Sequence, residues 1–170
     1  MSDSFTLYKL IVLYMLEKVD FPLTNGQISE FVLDKGYTTY FKLQQTLAEM
    51  VDARFIREEI THNRTLYHLT EEGASTLHFF GNKISPAIKK DIDAFLEEHR
   101  YELKNEVAVK ADYFPNNFGE FSVRCKVIEN EASLIDLTLT VPSEKEAQAI
   151  INNWRQKSEE VYALLMKTLL

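Results

Sequence analysis

Thr38, Thr39, Lys42 and Gln45 lie within a stretch, Tyr37 to Ala48, that holds no acidic residue. Two hydroxyls, an ammonium and an amide are the groups that contact phosphate oxygens and base edges in a DNA major groove. Bond-making chemistry has less to work with. His62, His68, His78 and His99 show no HxxxH or HExxH spacing, so a zinc site on one helix is not expected. Cys125 is the only cysteine, which excludes an intramolecular disulfide and a cysteine-based metal cage. GxGxxG, Walker and GxSxG patterns are absent, and five glycines leave little material for a phosphate-cradling loop. The expectation is a protein that binds rather than catalyses, with no metal and no cofactor.

The elements that must position those groups can be read in order. A first helix is expected from about Phe5 to Val19, apolar around most of its circumference apart from Lys9, Glu17 and Lys18, as suits the inside of a fold. Pro22 stops it. Thr24-Asn25-Gly26-Gln27 fits a capping box and opens a second helix, whose buried face is Ile28, Phe31 and Val32. Gly36 should end that helix in the left-handed conformation, and Thr38 or Thr39 caps a third, reaching to about Ala53. So short a connection predicts a helix-turn-helix. Tyr40, Leu43, Leu47, Met50 and Val51 form the third helix's apolar face, with Thr38, Thr39, Lys42, Gln45, Thr46 and later Glu49 opposite. From Phe55 to Leu69 two strand-like runs flank His62-Asn63-Arg64, a loop of hairpin length. Thr70 caps a fourth helix with Glu71 and Glu72 in its first turn.

Ser85 and Pro86 start another helix, with Ile88, Ile92, Phe95, Leu96, His99 and Leu103 along one face. Three alternating strands follow, around Val107–Tyr113, Phe121–Val127 and Ile135–Val141, joined by turns short enough for an antiparallel meander. Ser143-Glu144-Lys145-Glu146 begins a long terminal helix. The Pro86 helix and the terminal helix are expected to cover the meander's apolar face. Trp154, Val161, Tyr162 and Leu165 on the terminal helix are also candidates for a homodimer seam. The fold class is therefore α+β, with a domain at residues 1–82 and an α-β-β-β-α domain at 83–170.

Helix, helix, helix, hairpin, helix is the order of a winged-helix domain. "LTEEG", Leu69 to Gly73, resembles the segment that closes the wing in bacterial regulators of the PadR and MarR type. "LYKLIVLYMLEKVDFPLTNGQISEF" is similar to a family of small Gram-positive winged-helix proteins. These resemblances imply transcription regulation, with double-stranded DNA as partner. The candidate contacts are Thr24 and Asn25 at a helix N-terminus, Thr38, Thr39, Tyr40, Lys42 and Gln45 on the third helix, and His62, Asn63 and Arg64 at the wing. The net charge of −7 divides as −4 over residues 1–82 (seven basic, eleven acidic) and −3 over 83–170 (twelve basic, fifteen acidic). Non-specific DNA binding should accordingly be weak. The competing expectation is a winged helix used for protein contacts, through Tyr37, Tyr40 and Phe41. The longest apolar-rich run, Phe5 to Leu16, falls about eight residues short of the roughly 20 needed to cross a bilayer. With Asp3 ahead of it, no signal peptide is expected and a cytoplasmic address follows. The residues name no effector.

Overall fold

The computed structural model describes residues 3–170. Over them the chain forms an α+β structure with two three-stranded antiparallel sheets. It divides into two compact units: one runs to Ile60 and resumes over Arg64–Lys104, and the other takes Thr61–Asn63 with Asn105–Leu170.

The first unit holds α1 (Asp3–Glu17), β1 (Leu23–Thr24), α2 (Asn25–Asp34), α3 (Tyr40–Asp52), β2 (Ile56–Ile60), β3 (Thr65–Leu69), α4 (Glu71–Phe80), a 3-10 turn at Gly81–Lys83, and most of α5 (Pro86–Ala108). Every residue of α1 from Leu10 to Leu16 is buried, so this helix is enclosed by its unit, as an apolar circumference requires. Around it gather Ile28, Phe31, Leu43, Leu47, Met50 and Ile56. The sheet order is β1-β3-β2, with β2 and β3 in register from Ile56↔Leu69 to Ile60↔Thr65. The two-residue strand β1 pairs Leu23 with Tyr67 and Thr24 with Leu66. So short a strand has no periodicity to betray it.

The junction between α3, the hairpin and α4 is unusually close. After α3 the chain turns through Arg54 at φ +63°, with Arg54 N–H donating to the Val51 carbonyl and Phe55 N–H to that of Met50. These are the two hydrogen bonds of a Schellman cap. Thr70, the N-cap of α4, donates its hydroxyl toward the Phe55 carbonyl at 2.8 Å or that of Arg54 at 2.6 Å, and accepts the Gly73 N–H at 3.0 Å. A Cβ on Gly73 would stand 2.1 Å from the Phe55 carbonyl oxygen. That is why the last position of LTEEG has no side chain.

Two expectations about the later elements are corrected. The domain boundary falls after Lys104, inside α5, and not at residue 83. Ser85 and Pro86 mark where a helix starts, but Ile92, Leu96 and Leu103 on that helix belong to the first core. Phe95 packs on Phe31 with ring centroids 4.9 Å apart, Tyr14 donates to Asp93 at 2.9 Å, and Gln27 donates to the Leu103 carbonyl at 3.2 Å. The apolar stripe of α5 thus serves the first core and does not cover the meander.

The second unit contains β4 (Val109–Pro115), β5 (Phe121–Glu129), β6 (Ala132–Val141) and α6 (Glu144–Leu169), with sheet order β4-β5-β6. Asn130 and Glu131, at φ +49° and +67°, form the two-residue turn between β5 and β6, a backbone matched to the twist of a hairpin. Ser143 caps α6 by accepting the Glu146 N–H. Among the described residues α6 supplies the cover: Ala147, Ile151 and Trp154 pack on Tyr113, Val123 and Cys125. The Trp154 indole donates to the Lys126 carbonyl at 3.0 Å, which satisfies its one polar atom inside the contact.

Two measurements check these interiors. Gly73→Ala should destabilise the chain by about 1–3 kcal/mol or more, because a backbone carbonyl must move to admit the methyl; an unchanged thermal midpoint would refute the close approach. Cys125 has no exposed surface, and burial pushes its thiol up to about 11, so at mildly alkaline pH it stays protonated and unreactive. A thiol reagent should label it only as the protein unfolds, and rapid stoichiometric labelling of the folded chain would contradict that.

Candidate nucleic-acid interface

The corner between α2 and α3 begins at Thr24. Its hydroxyl accepts the Gln27 N–H at 3.0 Å, while the Gln27 side-chain oxygen accepts the Thr24 N–H at 2.9 Å. This is the full capping box, and it is buried. Next to it the Asn25 amide donates to Gln44 at 2.7 Å and to the Tyr67 hydroxyl at 3.1 Å, and its oxygen accepts from Ser29 at 3.1 Å and Gln44 at 3.0 Å. Thr24 and Asn25, expected as phosphate contacts, are spent here on joining α2 to α3 and β3. Asn25's partner, Gln44, left no sign in the sequence except an amide one position after Leu43 on the buried stripe.

At the other end of α2, Gly36 takes φ +67°. Its N–H donates to the Leu33 carbonyl and the Tyr37 N–H to that of Val32, again a Schellman cap. The Tyr37 ring then meets Phe31 edge-on at 5.8 Å, and its hydroxyl donates to Asp91 on α5 at 2.8 Å. Burial, with the Asp91 carboxylate adding to it, pushes this phenol up to about 12. The residue that ends the turn is therefore pinned both to the helix it leaves and to α5.

Where α3 starts, the candidate residues separate. The Thr38 hydroxyl oxygen is sealed from solvent and makes no hydrogen bond. Thr39 is the N-cap, accepting the Lys42 N–H at 3.3 Å, and stays exposed with Lys42 and Gln45. Tyr40, expected on the apolar face, is 59% exposed, and Phe41 is 77% exposed. Thr46, expected outside, is fully buried and donates its hydroxyl to the Lys42 carbonyl at 2.8 Å. Glu49, the first acid after the turn, pairs with Lys9 of α1 at 3.0 Å. The outer edge of α3 thus presents Thr39, Tyr40, Phe41, Lys42 and Gln45. Its nearest carboxylate along the helix is held by a lysine.

The hairpin tip is differently employed. Thr61–Asn63 belong to the second unit. The His62 ring stacks on Tyr113 at 3.8 Å and its Nδ1 forms a close pair with Asp112. Asn63 accepts a hydrogen bond from Gln148 at 3.3 Å. Arg64, half-buried just before β3, belongs to the first unit. No local pattern could have signalled the His62–Tyr113 stack, since its partners lie about fifty residues apart. Of the terminal-helix candidates, Trp154 and Val161 pack in the second core, and Tyr162 and Leu165 are half-buried.

Among the described residues no group of three or more His, Cys, Asp or Glu could hold a metal ion, and no helix is long and apolar enough to cross a membrane. A family model described as "Domain of unknown function (DUF4364)" matches residues 8–169. No curated protein and no solved structure matches the chain.

The Asn25 network gives a direct check. Asn25→Ala leaves Gln44 without its partner and should cost about 1–3 kcal/mol of stability. The denaturant midpoint should fall with the slope unchanged, and a midpoint equal to wild type would show that the network does not hold the corner.

Proposed function

We propose that this chain, which belongs to the DUF4364 family, is a cytoplasmic DNA-binding transcription regulator of winged-helix type. The observation that carries the reading is the outer edge of α3. Thr39, Lys42 and Gln45 are exposed there together, and Glu49 is paired with Lys9. In a major groove Lys42 neutralises a phosphate, while the Gln45 amide and the Thr39 hydroxyl meet base edges. The pinned corner suits this work, because a reading helix must keep its side chains in one register against the bases.

A molecule of charge −7 gains little from counterion release. Affinity for random DNA is therefore low, and a useful complex needs two copies of the edge. Homodimerisation is part of this reading. Because His62 and Asn63 are committed within the second unit, α3 carries the base contact.

A second reading rests on Tyr40 and Phe41, whose exposure favours an apolar protein partner at the same edge. One experiment separates them: selection of bound sequences from random DNA at low salt, followed by titration of the winning site. Lys42→Ala should weaken binding and reduce the slope of log affinity against log salt by about 0.9 per subunit. Gln45→Ala should relax one base position by about 1–3 kcal/mol. Selection that enriches no sequence, or a salt slope unmoved by Lys42→Ala, refutes DNA reading. Loss of a protein partner on Phe41→Ser with Lys42→Ala neutral establishes the second.

A further inference from the structure

The meander is covered unevenly. On β5, Val123 and Cys125 have no exposed surface, yet Leu139, directly opposite Val123 on β6 and on the same face, is 48% exposed. Leu134, beside the register shift in β6, is 45% exposed. The helix that closes the face over β4 and β5 leaves Leu134 and Leu139 open, while Ile135 and Leu137 between them pack against the core. β6 is also an edge strand, so a row of backbone N–H and C=O groups runs beside those leucines.

Edge strands are ordinarily blunted by charge, proline or a covering segment. The other edge, β4, has all three: Lys110 and Asp112, Pro115, and His62 seated on Asp112 and Tyr113. β6 has ten residues, no proline and no lysine. Its one charge, Asp136, is gripped by Arg124 through two hydrogen bonds of 2.9 and 2.7 Å.

We propose that β6 pairs antiparallel with β6 of a second copy, joining the two meanders into one continuous sheet. Self-pairing fits the charge pattern. Centred on Leu137, it sets Ile135 opposite the second copy's Leu139 and Asp136 opposite Thr138, so that apolar residues meet on the covered face. Centred one residue earlier it would oppose two Asp136 carboxylates, a repulsion that excludes that register. A pair made by the same surface on both copies closes on itself, and the guarded β4 edge stops further growth. This supplies the second copy on which the DNA reading rests, and moves the seam from α6, whose Trp154 is internal, to β6.

The test uses the full chain without DNA, so that a failure of pairing and a failure of base reading are told apart. Light scattering at micromolar concentration should give about twice the 19.8 kDa of one chain. Leu139→Lys should return the single-chain mass with unchanged circular dichroism and a thermal midpoint that no longer rises with protein concentration, whereas Leu169→Glu at the exposed end of α6 should leave the pair intact. Amide exchange on the unaltered protein should show β6 gaining protection as concentration rises, with β4 unaffected. A single-chain mass throughout the micromolar range, a pair that survives Leu139→Lys, or concentration-dependent protection confined to α6 would overturn the proposal.

Discussion

With Gly36 in the left-handed region and Tyr37 folded back onto Phe31, α3 can leave the corner in one direction only. The two cap hydrogen bonds set the backbone path, the ring contact sets its depth, and the phenol–carboxylate bond to Asp91 ties it to α5. Behind the corner, Asn25, Ser29 and Gln44 fasten α2 to α3 across their buried side. Buried polar groups joined this way are costly to separate, since each partner left alone loses its hydrogen bond without regaining water. The exposed set on α3 is positioned by the Asn25, Ser29 and Gln44 hydrogen bonds behind it.

The molecule's acidity is then a matter of placement. The partly buried ion pair Lys9–Glu49 neutralises a carboxylate on the flank of the acid-free first part of α3, Tyr40 to Ala48. Long-range repulsion between a −7 chain and DNA persists, and is screened beyond about 10 Å at moderate salt. What remains at contact distance is a small neutral-to-positive edge. Under the proposed DNA reading, such a surface discriminates more than it attracts.

The sequence was most informative where backbone chemistry is local. Thr24, Thr39, Thr70 and Ser143 cap the helices they were expected to cap, and Gly36 adopts the conformation its position required. Facing was harder to read. Tyr40 stands one turn before Leu43 and so shares its stripe on paper, but at the first position of α3 that stripe has already run past the core. Thr46 falls opposite the apolar stripe in the sequence, yet it is buried, with its hydroxyl donated to the Lys42 carbonyl. The stripe on α5 announced a buried face without saying which core would bury it. Partnerships such as Asn25 with Gln44 and His62 with Tyr113 depend on the fold having already formed.

The missing side chain at Gly73 sets a gauge on chain length. Thr70 and Gly73 reach the Phe55 carbonyl together because they are three residues apart at the first turn of α4. One residue inserted between them would swing the helix by about 100° and bring a bulkier group against that oxygen. Insertions at the remote end of the hairpin leave this root untouched. The spacing at the base of this segment therefore admits no change, and a length change at its far end is felt only by His62 and Asn63 and the residues they touch.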